Sequence, residues 1–265
     1  MECNEMANLE INNLTVTTSD NSHTLLENVS CCVKGGDILA VIGPNGAGKS
    51  SLLQSIAGDF DSFIGSINLA GKPIDPKFQA KQIAVLPQFS LLNFPYRVNE
   101  VVQLGRTPHR TGTVIDKQII KEVLDVMDIS ELCSRHYTDL SGGEKQRVQI
   151  ARVLAQIWRA EDSANKQRVL LLDEPTTALD LGHQFQLMKT LQQFSASNVI
   201  IIMVLHDLNL VARYTTKCLA LLNSKVLSFG KTNDVLNQQT IETLFATKVC
   251  ITTHPNNSTP IVLSQ

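Results

Sequence analysis

Residues 38–50 read ILAVIGPNGAGKS: a continuous apolar run, then a glycine-rich turn, then a lysine and a serine. An apolar run without polar alternation predicts a strand buried on both faces, as in a parallel sheet covered by helices. Gly43–Ser50 fits G-x-x-x-x-G-K-[ST], and beyond it Leu52, Leu53, Ile56 and Ala57 share one face of a helix predicted to start near Lys49. Strand, loop and helix in that order commit the chain to an α/β core. The glycines let backbone N–H groups face phosphate oxygens without Cβ clashes, and a helix N-terminus adds partial positive charge. The candidate phosphate-binding residues are therefore Gly43, Pro44, Asn45, Gly46, Ala47, Gly48, Lys49, Ser50 and Ser51. Lys49 is expected to reach the β- and γ-phosphates, and Ser50 to ligate Mg²⁺ with Ser51 beside it.

The rest of the chain supports such a core. Residues 8–18 alternate apolar and polar as a half-buried strand does, and 25–33 form a second strand candidate. VLLLDEP (169–175) and NVIIIMVLHD (198–207) predict two more buried strands. Between them and the phosphate loop, residues 89–165 turn helical, with apolar residues at helical spacing in 119–129 and 144–158. The tail from 216 onward alternates short strand and helix signals.

Composition sets outer limits. The 265 residues suffice for one large or two small domains, and 43% hydrophobic with 18% charged residues is a globular balance. A net charge of −2 gives no global pull toward nucleic acid or anionic lipid. The longest apolar run, Val199–Leu205, is far below the roughly 20 residues that span a bilayer. The opening MECNEMANLE lacks a basic and an apolar region, so no secretory signal is expected. Cys3, Cys31, Cys32, Cys133, Cys218 and Cys250 are scattered, which predicts reduced thiols.

Two further motifs carry chemistry. Asp173 and Glu174 end a strand; Asp173 suits a Mg²⁺ shell, through water, and Glu174 suits a base that polarises an attacking water. In Leu140-Ser141-Gly142-Gly143-Glu144-Lys145-Gln146-Arg147, Ser141 caps a helix whose first turn offers open backbone donors.

LSGGEKQR between a phosphate loop and a carboxylate strand resembles the signature of the ATP-binding cassette family. The resemblance implies an ATP-hydrolysing translocase subunit with a P-loop NTPase core and parallel sheet, an N-terminal antiparallel β subdomain and a helical signature subdomain. As a single ABC ATPase domain it would place the nucleotide core in 1–88 and 166–265, and the helical part in 89–165. It implies roles for Gln88 as a sensor of Mg²⁺ and water, and for Thr177, Ala178, Leu179 and Asp180 as the segment crossing a dimer interface. His206 would contact the γ-phosphate, and Leu140, Ser141, Gly142, Gly143 and Glu144 would close over the nucleotide of a second copy. Catalysis then rests on Glu174, His206 and Gln88, and the Mg²⁺ set on Ser50, Gln88 and Asp173.

FPYRVNEVVQLGRTPH (94–109), ARVLAQIW (151–158) and VLHDLNLVARY (204–214) look like the ATPase subunit of bacterial haem importers, close to the iron-siderophore and vitamin B12 branch. That implies a homodimer beneath two permease subunits, at the cytoplasmic face of the bacterial inner membrane, with a periplasmic haem-binding protein delivering cargo. Membrane contact would be through the permease alone, and no nucleic-acid partner is implied. Phe89, Leu91, Phe94 and Tyr96 become candidates for a permease groove, with Arg106, His109 and Arg110 at its rim. Val98, Val101 and Val102 are expected to pack inward on a helix beginning near Arg97. Residues 14–23 hold no Phe, Tyr or Trp to stack on adenine, so weak discrimination between ATP and GTP is expected. The alternatives are an ATPase for a siderophore or cobalamin importer, and a non-transport cassette protein. A DNA-repair cassette would need heptads between its motifs, which this chain lacks.

Overall fold

The computed structural model describes residues 8–18, 20, 22–60, 62–88, 94–162, 167–255 and 259–264. Its elements run β1 (Asn8–Thr17), β2 (Thr24–Lys34), β3 (Ile38–Ile42), α1 (Lys49–Ala57), β4 (Ile64–Leu69), β5 (Lys72–Pro73), α2 (Pro76–Gln82), β6 (Ile83–Leu86), α3 (Val98–Leu104), α4 (Thr113–Val126) and α5 (Gly142–Gln156). They continue with β7 (Arg168–Asp173), α6 (Leu181–Ser195), β8 (Val199–Val204), α7 (Leu208–Tyr214), β9 (Lys217–Leu222), β10 (Lys225–Lys231), α8 (Thr232–Val235), α9 (Gln238–Phe245), β11 (Val249–Thr253) and β12 (Pro260–Ser264). The chain separates into two compact units, residues 1–74 with 200–265, and residues 75–199.

In the first unit β2, β1, β4 and β5 form an antiparallel sheet in that order. Leu9, Ile11, Leu14 and Val16 are all buried, although their parity changes between Ile11 and Leu14. A register irregularity between those residues, with Asn13 at φ 49°, re-phases the strand so that both pairs reach the same core. Beside this sheet β3 runs parallel to both β8 and β9, Ala40 facing Met203 on one side and Cys218 on the other. Every residue of β3 is buried, the signature of a central parallel strand. The tail resolves into β10, two short helices and the hairpin β11–β12. The Asn209 side chain of α7 holds that hairpin, its Nδ2 donating to the Val262 carbonyl (3.3 Å) while its Oδ1 accepts the Val262 N–H (2.9 Å).

The second unit contains the parallel pair β6–β7 together with α3 to α6. α3 begins after Arg97 and buries Val98, Val101 and Val102, as the spacing predicts. α4 starts at Thr113, earlier than the apolar periodicity alone suggests, because its first turn is exposed and only Ile119, Ile120, Val123 and Leu124 are buried. Arg168 ties this unit together from within: its guanidinium donates to the carbonyls of Trp158 (2.8 Å) and Ser197 (2.6 Å) and lies over the Phe194 ring.

Cys31, Cys133, Cys218 and Cys250 are free thiols as expected, and burial pushes the Cys31 and Cys218 thiols up to about 12. Cys32 departs from the expectation and is disulfide-bonded. Among the described residues no helix is long and apolar enough to cross a membrane.

Candidate active site

Gly43–Ser51 and His206 belong to the first unit; the other candidate residues belong to the second. β3 ends at Ile42, Gly43 turns with φ 151°, and Gly48 at φ 97° forms the N-cap of α1. A Cβ on Gly43 would stand 2.2 Å from the Leu221 carbonyl oxygen, and one on Gly48 would stand 2.5 Å from that of Leu25. Side chains are excluded behind the loop. Gly46 by contrast faces open space, so a ligand can approach the backbone there. No acidic residue lies in the first turn of α1, and no side chain caps it. The partial positive charge of the helix N-terminus therefore favours an anion there. The Lys49 ammonium curls over the same turn, 2.8 Å from the Gly43 oxygen and 2.9 Å from that of Pro44. Those are neutral acceptors that phosphate oxygens can replace with stronger, charged ones. These features fit a nucleotide phosphate chain.

His206 is exposed just beyond β8. Its neighbour Asp207 caps α7, accepting from the N–H groups of Asn209 (2.8 Å) and Leu210 (3.1 Å). The cap fixes the turn from which His206 projects.

In the second unit β7 ends at Asp173, which is buried. Glu174 follows with φ 51°, a left-handed backbone that costs a non-glycine residue about 1 kcal/mol or more. The turn is closed by the Thr177 N–H on the Glu174 carbonyl (3.2 Å), and the Thr177 hydroxyl lies 3.4 Å from Glu174 Oε2. Gln88 is exposed two residues beyond β6. Among the described residues no group of three or more His, Cys, Asp or Glu side chains could hold a metal ion. Ser50 in the first unit and Gln88 and Asp173 in the second are each oxygen donors, the kind of ligand that Mg²⁺ takes.

Ser141 caps α5 as the sequence predicts. Its Oγ accepts the Glu144 N–H (3.4 Å), while Glu144 Oε2 accepts the Ser141 N–H (2.7 Å). The Ser141 backbone and hydroxyl, with Arg135 at 3.5 Å, hold the Glu144 carboxyl below its ordinary range. Leu140 is buried beneath the cap, whereas Ser141 and Gly142 are exposed. A Cβ on Gly143 would come within 3.0 Å of the Ala178 carbonyl, so the signature and the 177–180 turn are packed together inside one chain.

Three side chains that the sequence reading did not single out hold that turn. Gln146 donates to the Pro175 carbonyl (3.1 Å), and Gln184 to those of Thr176 (3.3 Å) and Leu179 (3.1 Å). Asp180 caps α6, accepting the His183 N–H (2.9 Å), and the His183 ring lies on the same carboxylate. The available signal was Asp180 followed three positions later by His183, the spacing of a capping box.

Tyr96 lines a groove of about 370 Å³ with Glu100, Leu104, Thr107 and others. Phe94 is 64% exposed, and Phe89 and Leu91 lie outside the described residues. Arg106 is not a rim residue: it is 3% exposed and reaches Asp116, Thr111 and the Ala155 carbonyl beneath the groove. His109 likewise is buried, its Nε2 at 2.7 Å from the Gln156 carbonyl.

The family model described as ABC transporter matches residues 26–177. The hemin import ATP-binding protein HmuV of Gloeobacter violaceus is 44% identical over 244 residues, covering 90% of this chain and 88% of that protein. HmuV of Pseudomonas aeruginosa is 38% identical over 260 residues, covering 97% and 100%. Among solved structures, an ABC transporter assigned to the metal-chelate type in an inward-facing conformation is 28% identical with a TM-score of 0.80, covering 98% of this chain and 97% of that one. CbiO1 of Clostridium perfringens, part of the ABC transporter complex cbiONQ, is 27% identical with a TM-score of 0.73. With its phosphate loop, capped signature turn and carboxylate-ended strand, this chain belongs to the ABC transporter family and is its ATP-hydrolysing subunit.

Proposed function

We propose that this chain is the ATPase of a haem importer, working as a homodimer beneath two permease subunits at the cytoplasmic face of the inner membrane. What supports the haem cargo is the likeness over nearly the whole chain to proteins named for hemin import. The nucleotide core, 1–88 with 166–265, binds ATP, and the helical part, 89–165, presents Ser141–Gly143 to the nucleotide of the second copy. Lys49 and the first turn of α1 hold the phosphates. Ser50, Gln88 and, through water, Asp173 would hold Mg²⁺, which would supply neutralisation of charge on the phosphoryl oxygens. Glu174 accepts a hydrogen bond from the attacking water and orients it, and His206 donates to the γ-phosphate. Hydrolysis removes the charge that held the two copies closed. Tyr96 and Phe94 meet the permease, with Arg106 supporting their groove from below.

A second reading, a siderophore or cobalamin importer, is favoured by the metal-chelate type of the similar transporter structure. Cells lacking their own haem uptake, given this chain with its neighbouring permease and binding-protein genes, separate the two. Growth on haem as iron source, lost in Glu174→Gln, is expected. Growth on a ferric siderophore or uptake of cobalamin without haem use would overturn the cargo.

A further inference from the structure

We propose that His183 is a positioning residue for ATP hydrolysis, fixing the Asp180 carboxylate and with it the 177–180 turn that a second copy must meet. This rests on the reading above that the turn crosses between two copies. Asp180 Oδ1 accepts the His183 backbone N–H at 2.9 Å, and the ring Nδ1 lies 2.9 Å from Oδ1 and 2.8 Å from Oδ2. A carboxylate can only accept, so Nδ1 carries the proton and both oxygens are engaged from one side. The ring is the less exposed partner, 33% against 69%, and borders a small cavity with Val126, Met127, Leu187 and Thr190. The packed ring therefore anchors the exposed carboxylate. Among the described residues Arg147 from α5 is the charged group that lines the same cavity, itself bonded to the Asp128 carbonyl (2.9 Å) and 3.8 Å from its carboxylate. The next residue, Gln184, holds the carbonyls of Thr176 and Leu179. The tethers thus keep Ala178 in its left-handed conformation at φ 67°, with its carbonyl against Gly143 of the signature. Letting Asp180 go loosens the turn and, through Gly143, the segment that closes on nucleotide.

The test uses the full chain carrying Glu174→Gln, with ATP and Mg²⁺, and reads self-association by sedimentation alongside nucleotide affinity of the monomer. Adding His183→Ala is expected to weaken ATP-driven dimerisation about five-fold, the effect of one exposed charged contact. Monomer affinity for ATP stays the same, because the bonds of His183 described above are to Asp180 of its own turn. Adding His183→Asn instead, whose amide nitrogen can stand near the Nδ1 position, is expected to restore dimerisation to within about two-fold. Equal dimerisation in the Ala variant, or equal loss in the Ala and Asn variants, overturns the role of His183 alone. A Glu174→Gln chain that stays monomeric with ATP overturns the dimer reading and this inference with it.

Discussion

Replacing Arg106 with alanine tests whether the groove below Tyr96 is a scaffold or a contact. The guanidinium bonds Asp116 Oδ1 through Nε (2.9 Å), the Ala155 carbonyl through Nη1 (2.8 Å) and Thr111 Oγ1 through Nη2 (3.0 Å). Ala155 lies in the last turn of α5, where carbonyls have no intrahelical donor. Truncation leaves that carbonyl and the Asp116 charge behind. Breaking a buried pair costs about 3–5 kcal/mol, and because Asp116 is 21% exposed water recovers part of it, which places the loss near 3 kcal/mol. For a domain of this size that lowers Tm by about 6–12 °C, measurable by near-ultraviolet circular dichroism on purified protein. Arg106→Lys keeps the charge, but its three donors radiate from one nitrogen and cannot span acceptors met by Nε, Nη1 and Nη2, so it should recover less than about half of the loss. A Tm drop under about 2 °C for Arg106→Ala, with transport lost, would refute the reasoning and return Arg106 to the partner-facing role.

Asp116 gives a pH signature of the same cluster. Burial raises its carboxyl, but the Thr111 and Arg106 hydrogen bonds and the Arg106 charge outweigh it and hold it below the ordinary 3.8. A depressed value stabilises the fold above pH 3.8 and loses that contribution as pH falls through the lowered value. Asp116→Asn should therefore lower Tm at pH 7, and the gap to the parent should close below about pH 4; a gap that widens on acidification refutes the assignment. Gly48→Ala meets the Leu25 carbonyl at 2.5 Å and a left-handed backbone. It should cost about 1–3 kcal/mol and weaken fluorescent ATP-analogue binding about ten-fold or more; normal affinity would show the loop to be tolerant.

Much of the nucleotide half was legible because each motif is contiguous. The strand into Gly43, the cap at Ser141 and the buried end of β7 are set by neighbours within a few residues, where periodicity and capping rules act. Arg106 was misread because its partners Asp116 and Ala155 are ten and forty-nine residues away, and a basic residue among apolar ones looks like a rim until its acceptors are seen. β4 and β6 were silent for a similar reason: β4 has no clean burial alternation, β6 is only four residues long, and what makes them strands is pairing with β1 and β7. The early start of α4 follows from Thr113 to Asp116, where Asp116 serves Arg106 and the apolar stripe has not begun. Gln146 and Gln184 act on backbone carbonyls of a turn, and backbone acceptors leave no trace in composition.

The clamp of Asn209 on Val262 has a consequence at the C-terminus. A two-stranded hairpin offers unpaired edges to any other chain, and Ile261-Val262-Leu263 is an apolar stretch, β-branched at its first two residues, suited to intermolecular sheet growth. The asparagine amide occupies both the donor and the acceptor of Val262, as a neighbouring strand would. One side chain on a helix thereby takes up the hydrogen-bonding groups of Val262 that a further strand would need, without adding a strand.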